Sequence, residues 1–474
     1  MTLWYDVTDI ISWDRPHLTG IQRTVVGVMR GLRDQGIPFR LVAFHRSHGF
    51  REVESSDLPP LIRVMVDGPV AGTVGTTQPA VTTACRRPAE GRSRIPRLGD
   101  DDAGRELHRA MSGTVRAARQ LSGASLHWLR VRIRGAVGGR PEPALPGPPP
   151  APALADPSSP IAPGDEFVSI GATWSQPSHP VAVAGLRACG VRVVRMVYDL
   201  IPTLKPEWVD DPDGGVCPSR PITDWARQVI RDSDAVVTIS EFSRREILRY
   251  CAESGLAHAP ITVVRLGDDL GPLPEHPPIP RLAPARPFFL CVSTFDLRKN
   301  HRLLYDAWCV LAARGPGRCP DLVCVGMPHR FCADLLREIR LNRDVNRHIH
   351  LVTECADEEL AWYYRHCSAT IYPSRYEGWG LPVAESLGRG RLVLASNATS
   401  IPEIGGPLPA YFDPLDVHGL VALVERTLAD PQWVEAREQA IRSGFVATPW
   451  HRTALQVLEA LRAACPRTES GDRA

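Results

Sequence analysis

Short apolar runs alternate along this chain with stretches whose apolar positions recur every three to four residues, the pattern of strands feeding helices in a parallel sheet. Leu3–Val7 reads as a first strand, a loop runs to Gly20, and Ile21–Gln35 reads as a helix stopped by Gly36. A second strand follows at Phe39–Phe44, and the series resumes at Phe167–Gly171, Arg192–Tyr198, Ala235–Ile239 and Ile261–Leu266, with helices between. After a proline-rich break at Gly271–Pro287 a second series begins. Its strands are Phe288–Thr294, Asp321–Gly326, Ile349–Thr353, Ala369–Pro373 and Leu392–Ala395. Its helices are Asn300–Ala313, Arg330–Leu341, Asp357–His366 and Pro382–Gly388. The fold class expected is α/β, with two Rossmann-like doubly wound domains joined near residue 280.

The periodicity breaks across residues 72–165. From Pro141 to Pro163 there are ten prolines in 23 residues, which predicts an extended, solvated linker outside any core. Upstream, Arg86–Arg140 carries 13 arginines against five acids, with an apolar-basic stretch, Leu126–Arg134, inside it. Two readings stand: a peripheral contact with an anionic membrane face, or a solvated arginine-rich insertion.

Composition narrows the class. Length 474 is too long for one ordinary core, and 43% apolar with 23% charged residues suits globular domains. A net charge of +2 gives no field that would mark a nucleic-acid binder. Apolar runs stay well short of the length of a membrane span, and Met1–Asp6 shows no secretory signal. Twelve cysteines without a C-x-x-C pair, several within apolar runs, suit reduced thiols and no zinc site, so the expectation is a cytoplasmic protein. Of the 55 cationic side chains only Lys205 and Lys299 are lysines.

The densest chemistry runs from Tyr372 to Gly406. A strand ends at Pro373, a turn punctuated by Gly378 and Gly380 follows, and Pro382 opens a helix. Glycines free the backbone amides to point outward and a helix N-terminus adds partial positive charge, a cradle suited to phosphate. Glu377 before the turn and Glu385 on the helix are placed to accept hydrogen bonds from sugar hydroxyls, or are a turn residue and a solvated helix position. A second cluster, Arg298-Lys299-Asn300-His301, lies where a strand ends and a helix begins. Asn300 reads as its N-cap, and the two cations at the sheet's ligand edge suit a diphosphate leaving group.

The eight fixed positions Pro373, Ser374, Glu377, Gly378, Gly380, Leu381, Pro382 and Glu385 resemble the P-S-x-x-E-G-x-G-L-P-x-x-E frame of the retaining glycosyltransferases of family 4, and Arg298–Trp308 is similar to that family's R-K-N-H-x-x-L-L-x-A-W stretch. The resemblance covers residues 1–45 and 165–464. It implies the GT-B architecture, with an N-terminal acceptor-side domain (1–280), a C-terminal nucleotide-sugar domain (281–446) and an interdomain cleft. A last segment, 447–474, would return to the first domain through the apolar stripe of Trp450, Ala454, Leu455, Val457, Leu458 and Leu461. For the donor it implies Glu377 on the sugar, the amides of Gly378, Trp379, Gly380 and Leu381 on sugar and phosphate, Glu385 on the ribose, and Lys299 with Arg298 on the diphosphate. Many members carry an arginine where this chain has Thr294, counted here with the donor site.

In the N-terminal half, Thr19-Gly20-Ile-Gln-Arg23 resembles the family's G-I-x-R loop over the donor phosphates. Asp199 in Asp199-Leu-Ile-Pro202 resembles its D-x-I-P element, either as a partner of acceptor or transferred sugar or as a turn former. Ser240 reads as a helix N-cap, with Glu241 suited to the dipole and Arg244 either facing the cleft or structural. The function implied is retaining transfer of a hexose, mannose by analogy, from a nucleotide sugar to a glycan or lipid-linked acceptor in bacterial surface polysaccharide synthesis. Lys299, Arg298, Glu377 and Asp199 are the catalytic candidates, and neither metal nor cofactor is required. A Rossmann oxidoreductase would need G-x-G-x-x-G, which neither Gly20 nor Gly378–Gly380 supplies. A non-catalytic sugar-nucleotide-binding or assembly subunit is the alternative.

Overall fold

The computed structural model describes residues 1–14, 18–67, 159–210, 217–269, 276–315 and 317–464. Two sheets form the frame. The first holds β1 (Leu3–Asp6), β2 (Arg40–His45), β3 (Gly49–Val53), β4 (Glu166–Ser169), β5 (Arg192–Met196), β6 (Ala235–Thr238) and β7 (Ile261–Val263), in the order β3-β2-β1-β4-β5-β6-β7. All pairs are parallel except β2 with β3. The second holds β8 (Phe288–Val292), β9 (Asp321–Val325), β10 (Ile349–Val352), β11 (Ala369–Tyr372), β12 (Val393–Ser396) and β13 (Ala410–Phe412), all parallel, in the order β10-β9-β8-β11-β12-β13. Two Rossmann-like domains follow.

Strands buried on both faces explain the continuous apolar runs that marked them: β1, β4, β6, β11 and β12 are buried at every position. The chain order gives each sheet a switch point, between β1 and β4 in the first and between β8 and β11 in the second. Loops leaving the strands' C-terminal ends on either side of such a point diverge and leave a crevice, where open α/β sheets take ligands.

Several local readings are corrected. Gly49–Val53 adds an antiparallel edge strand and Pro60–Asp67 a helix that the periodicity had not separated. The strand expected over Ile261–Leu266 stops at Val263. The linker expected to lie outside any core reaches into it at its end: Ile161 is buried, and Asp165 accepts hydrogen bonds from Thr2 N (2.6 Å) and Trp4 Nε1 (2.9 Å). Earlier parts of the 72–165 insertion, with the arginine-rich stretch and its membrane reading, fall outside the described residues.

The helix Trp450–Ala464 packs along the helix Gly20–Asp34 of the first domain, burying Ala454, Val457, Leu458 and Leu461. Its entry is a tight fit. A Cβ on Gly27 would lie 2.3 Å from the Trp450 ring, and one on Gly267 equally 2.3 Å, so the indole occupies the space two glycines leave. One apolar cluster runs from Val25, Ile239 and Leu266 through Ala454 to Tyr372, Trp379, Val383 and Ile401, and so joins the two halves.

Candidate active site

β8 delivers Arg298 and Lys299, and β11, across the switch point, delivers Glu377. The Glu377 carboxylate is 5% exposed and takes both cations, Lys299 Nζ at 2.6 Å on Oε1 and Arg298 Nη1 at 2.5 Å on Oε2. Tyr372, the last residue of β11, adds its hydroxyl, which receives from Lys299 Nζ at 2.8 Å and lies 3.0 Å from Glu377 Oε1. Burial opposes ionisation of Glu377, but the charges of Arg298 and Lys299 outweigh it and hold the carboxyl down at about 2. Lys299 is pulled below its ordinary value by burial and by neighbouring Arg298. It uses two of its three donors on Tyr372 and Glu377, which leaves one for a ligand.

The turn that follows is organised by its carbonyls. Glu377 O accepts from Thr399 Oγ1 (3.0 Å) and Ser400 Oγ (2.9 Å), Trp379 O from Ser400 Oγ (3.0 Å), and Gly378 O from Ser243 Oγ (3.4 Å). Among the described residues the amides of Gly378, Trp379 and Gly380 donate to no protein acceptor. Gly380 has φ +135, closed to other residues, and caps the helix Leu381–Gly388. Thr399 holds φ +52, strained for a β-branched residue, and is fixed there by a reciprocal pair in which Glu377 N donates to its hydroxyl at 2.9 Å. Glu385, 4% exposed, accepts from Tyr364 OH (3.1 Å) and from Arg23 of the first domain (2.8 Å).

The first domain meets this wall directly. Asp199 Oδ1 accepts from Ile201 N (3.0 Å), the turn-forming role, while Oδ2 faces Gly378 so closely that a Cβ there would lie 2.8 Å from it. Burial raises the Asp199 pKa. A Cβ on Gly20 would touch Leu381 at 3.4 Å. Ser240 does cap its helix, accepting from Ser243 N at 3.0 Å, and Arg244 forms an i,i+3 pair with Glu241. The amides of Glu241 and Phe242 donate at 2.8 Å each to Glu403 of the second domain.

The structure thus brings together Lys299, Arg298, Glu377, Asp199 and Gly378–Leu381, with Glu385 and Gly20 along the same seam. The Trp379 indole is buried in the apolar cluster between the domains, which leaves its backbone, the part expected to serve a ligand. One expectation changes. Asn300 is no side-chain cap: it sits at φ +60 and its Nδ2 ties Pro373 O (3.0 Å) to Pro414 O (2.8 Å). Thr294 is exposed at the end of β8. Sequence reasoning missed Tyr372, Thr399, Ser400 and Glu403. All four lie within the Tyr372–Gly406 segment singled out above, but only proximity in space shows what each of them does. A groove of about 460 Å³ lined by Arg33, Phe39, Arg40 and Glu52 contains none of these residues.

Residues 274–445, which carry the whole cation-carboxylate wall, match the sequence model of the family described as Glycosyl transferases group 1. The match covers the second sheet and the helices around it. O-antigen chain mannosyltransferase B of Escherichia coli is 29% identical over 239 residues, 48% of this chain and 60% of that protein. Serotype-specific mannosyltransferase WbdA of Escherichia coli is 23% identical over 278 residues, 56% of this chain and 33% of that protein. Glycogen synthase of Mycobacterium tuberculosis is 30% identical over 216 residues, 45% of this chain and 50% of that protein. The chain therefore spans between a third and 60% of the length of these relatives. Sucrose-phosphate synthase from Thermosynechococcus elongatus superposes at TM-score 0.47 and 20% identity, covering 63% of this chain and 73% of that one, and adds nothing to the two-sheet architecture already described. Within the matched residues, those that resemble the donor-site motifs are the ones the second sheet's switch point gathers. No helix among the described residues is long and apolar enough to cross a membrane.

Proposed function

We propose that this protein is a retaining glycosyltransferase that moves a hexose, mannose by analogy with the named relatives, from a nucleotide sugar to a glycan or lipid-linked acceptor in surface polysaccharide synthesis. The observation that carries this reading is the Lys299–Glu377–Arg298 constellation at the switch point, beside a turn whose amides are free and inside a group 1 domain. In a nucleotide-sugar complex the free amides of Gly378–Gly380 and the unused donors of Lys299 and Arg298 would receive the diphosphate, Glu377 the hydroxyls of the sugar, and Glu385 the ribose, with Arg23 reaching over from the first domain.

The chemistry asked of the protein is positioning and charge stabilisation. The bond from the anomeric carbon to the phosphate oxygen breaks as a bond to the acceptor oxygen forms on the same face. The acceptor's proton passes to the departing phosphate. Fixed cations at that oxygen stabilise the developing charge by several kcal/mol, and holding both substrates adds up to about 7–11 kcal/mol in ideal cases. No metal is needed in this scheme, since Lys299 and Arg298 supply the positive charge.

The test is release of nucleoside diphosphate from a panel of GDP-mannose, UDP-glucose and UDP-N-acetylglucosamine, with the product's anomeric configuration read by NMR. Turnover that Lys299→Ala abolishes is expected. Nucleotide binding without turnover of any donor would make the chain a binding or assembly subunit, and an inverted product would remove the same-face mechanism.

A further inference from the structure

Tyr372 is the last residue of β11 and stands just before Pro373, where the quoted motif frame begins. Its side chain is buried, with the ring set against the turn: a Cβ on Gly380 would come within 3.4 Å of Cε1. Its backbone pairs in register with Ala395 of β12, so the phenol is carried by the sheet and not by a loop. Lys299 Nζ lies 2.8 Å from the hydroxyl and 5.1 Å from the ring centre, so the oxygen holds the ammonium and the ring face does not. The hydroxyl in turn lies 3.0 Å from Glu377 Oε1, which also takes Lys299 at 2.6 Å. Charge fixes the direction of each bond in this closed ring. An ammonium only donates and an ionised carboxylate only accepts, so the phenol accepts from Lys299 and donates its own O–H to Glu377. Burial and the Glu377 charge push the phenol pKa up, which keeps that proton in place.

A lysine carries its charge on a flexible four-carbon stem, whereas a cation stabilises a transition state best when nothing has to reorganise at the moment of reaction. Glu377 by itself is a poor anchor for that ammonium, because in the reading above sugar hydroxyls claim the same carboxylate. Tyr372 has no second duty: its proton goes to Glu377 and its oxygen to Lys299. With two N–H groups tied to points set by β11 and the turn after it, the third N–H of Lys299 has one direction left. Resting on the glycosyl-transfer reading, we propose that Tyr372 is the positioning residue of Lys299, its hydroxyl holding the ammonium so that the remaining N–H meets the departing phosphate oxygen. Tyr372 acts through Lys299 and touches neither sugar nor phosphate.

The experiment is Tyr372→Phe in the full chain, which removes one oxygen and keeps the ring beside Gly380. The chain has only two lysines, so labelling lysine with carbon-13 at Cε gives two NMR signals, and Lys205→Arg leaves the one from Lys299. Burial and Arg298 set the Lys299 midpoint below the ordinary lysine value. In Tyr372→Phe it should move further down, since the ammonium loses an acceptor while Arg298, Asp296, Glu377 and Asp199, the charges facing it, stay in place. The second readout is nucleoside diphosphate release from whichever of GDP-mannose, UDP-glucose and UDP-N-acetylglucosamine is turned over. Its kcat should fall about tenfold, the size of one hydrogen bond to a charged group, with KM kept within about twofold. Circular dichroism establishes that the variant is folded, and Tyr372→Met, equally without a hydroxyl, replaces it if it is not. An unmoved midpoint, a kcat at the wild-type value or a loss confined to KM overturns the positioning role alone. A wild type that turns over none of the donors overturns the glycosyl-transfer reading, and the Lys299 midpoint still decides whether the hydroxyl holds the ammonium.

Discussion

Asp199 and Gly378 approach from different domains until no side chain fits between them: a Cβ on Gly378 would lie 2.8 Å from Asp199 Oδ2 and 3.0 Å from its Cβ. Rotating the Asp199 side chain would relieve the 2.8 Å approach but leave its Cβ at 3.0 Å, still tighter than an ordinary van der Waals contact. The glycine of this turn is thus required by the opposite domain as well as by any ligand.

Gly378→Ala is therefore expected to hold the two lips apart while each sheet stays intact. Overpacking at such a contact costs about 1–3 kcal/mol. Donor turnover should fall at least about tenfold, since sub-ångström misplacement of reacting groups is felt strongly. Thermal unfolding and donor hydrolysis check it, and a variant with wild-type turnover would show that the contact is not kept in the working state.

Lys299→Ala should remove turnover by about 10²–10³-fold, the usual loss for one preorganised donor at a developing charge. It also has a pH signature. Glu377 is held at about 2 in the fold against an ordinary 4.5, so its ionised form stabilises the protein above the ordinary value, and that contribution is lost only as pH falls through about 2. Without Lys299 one of the two charges holding it down is gone, its pKa rises, and acid unfolding followed by circular dichroism should begin at higher pH than in the wild type.

Glu403→Gln replaces a carboxylate that receives the amides of Glu241 and Phe242 by a neutral amide oxygen. Loss of charge at a helix N-terminus costs about 0.3–1 kcal/mol. Because helix and carboxylate belong to different domains, closure should weaken: the radius of gyration from small-angle scattering is expected to rise and the donor KM with it. An unchanged radius and KM would mean the apolar cluster alone keeps the cleft shut.

Gly27→Ala tests the returning helix. The added methyl would overlap the Trp450 ring at 2.3 Å and must expel the indole. Destabilisation of about 3 kcal/mol, the upper end for overpacking, should appear as a lowered Tm. Trp450→Ala in the same background should recover part of it by making room.

Much of this was legible in the chain itself. Strands buried on both faces must be apolar at nearly every position, so the runs at Phe288, Asp321, Ala369 and Leu392 announced a parallel sheet before its order was known. Glycine spacing and the proline after it marked the turn at Glu377, because backbone geometry is a local property. The edge strand Gly49–Val53 was not legible, since an exposed edge needs no continuous apolar run.

What the sequence could not decide was partnership. That Glu377 would be gripped by Arg298 and Lys299, some 78 residues away in the chain, depends on β8 and β11 being neighbours in the sheet. That Trp379 would turn into the core while its backbone stays available depends on the apolar cluster that joins the two halves. Asn300 shows the same limit: its residue type suits a cap, yet two distant carbonyls claimed its side chain. Local chemistry determined which residues could bind phosphate and sugar, because backbone freedom, charge and hydrogen-bonding capacity travel with the residue. Tertiary structure alone decided which of them meet, because electrostatic and steric complementarity act across a few ångströms of space regardless of separation along the chain.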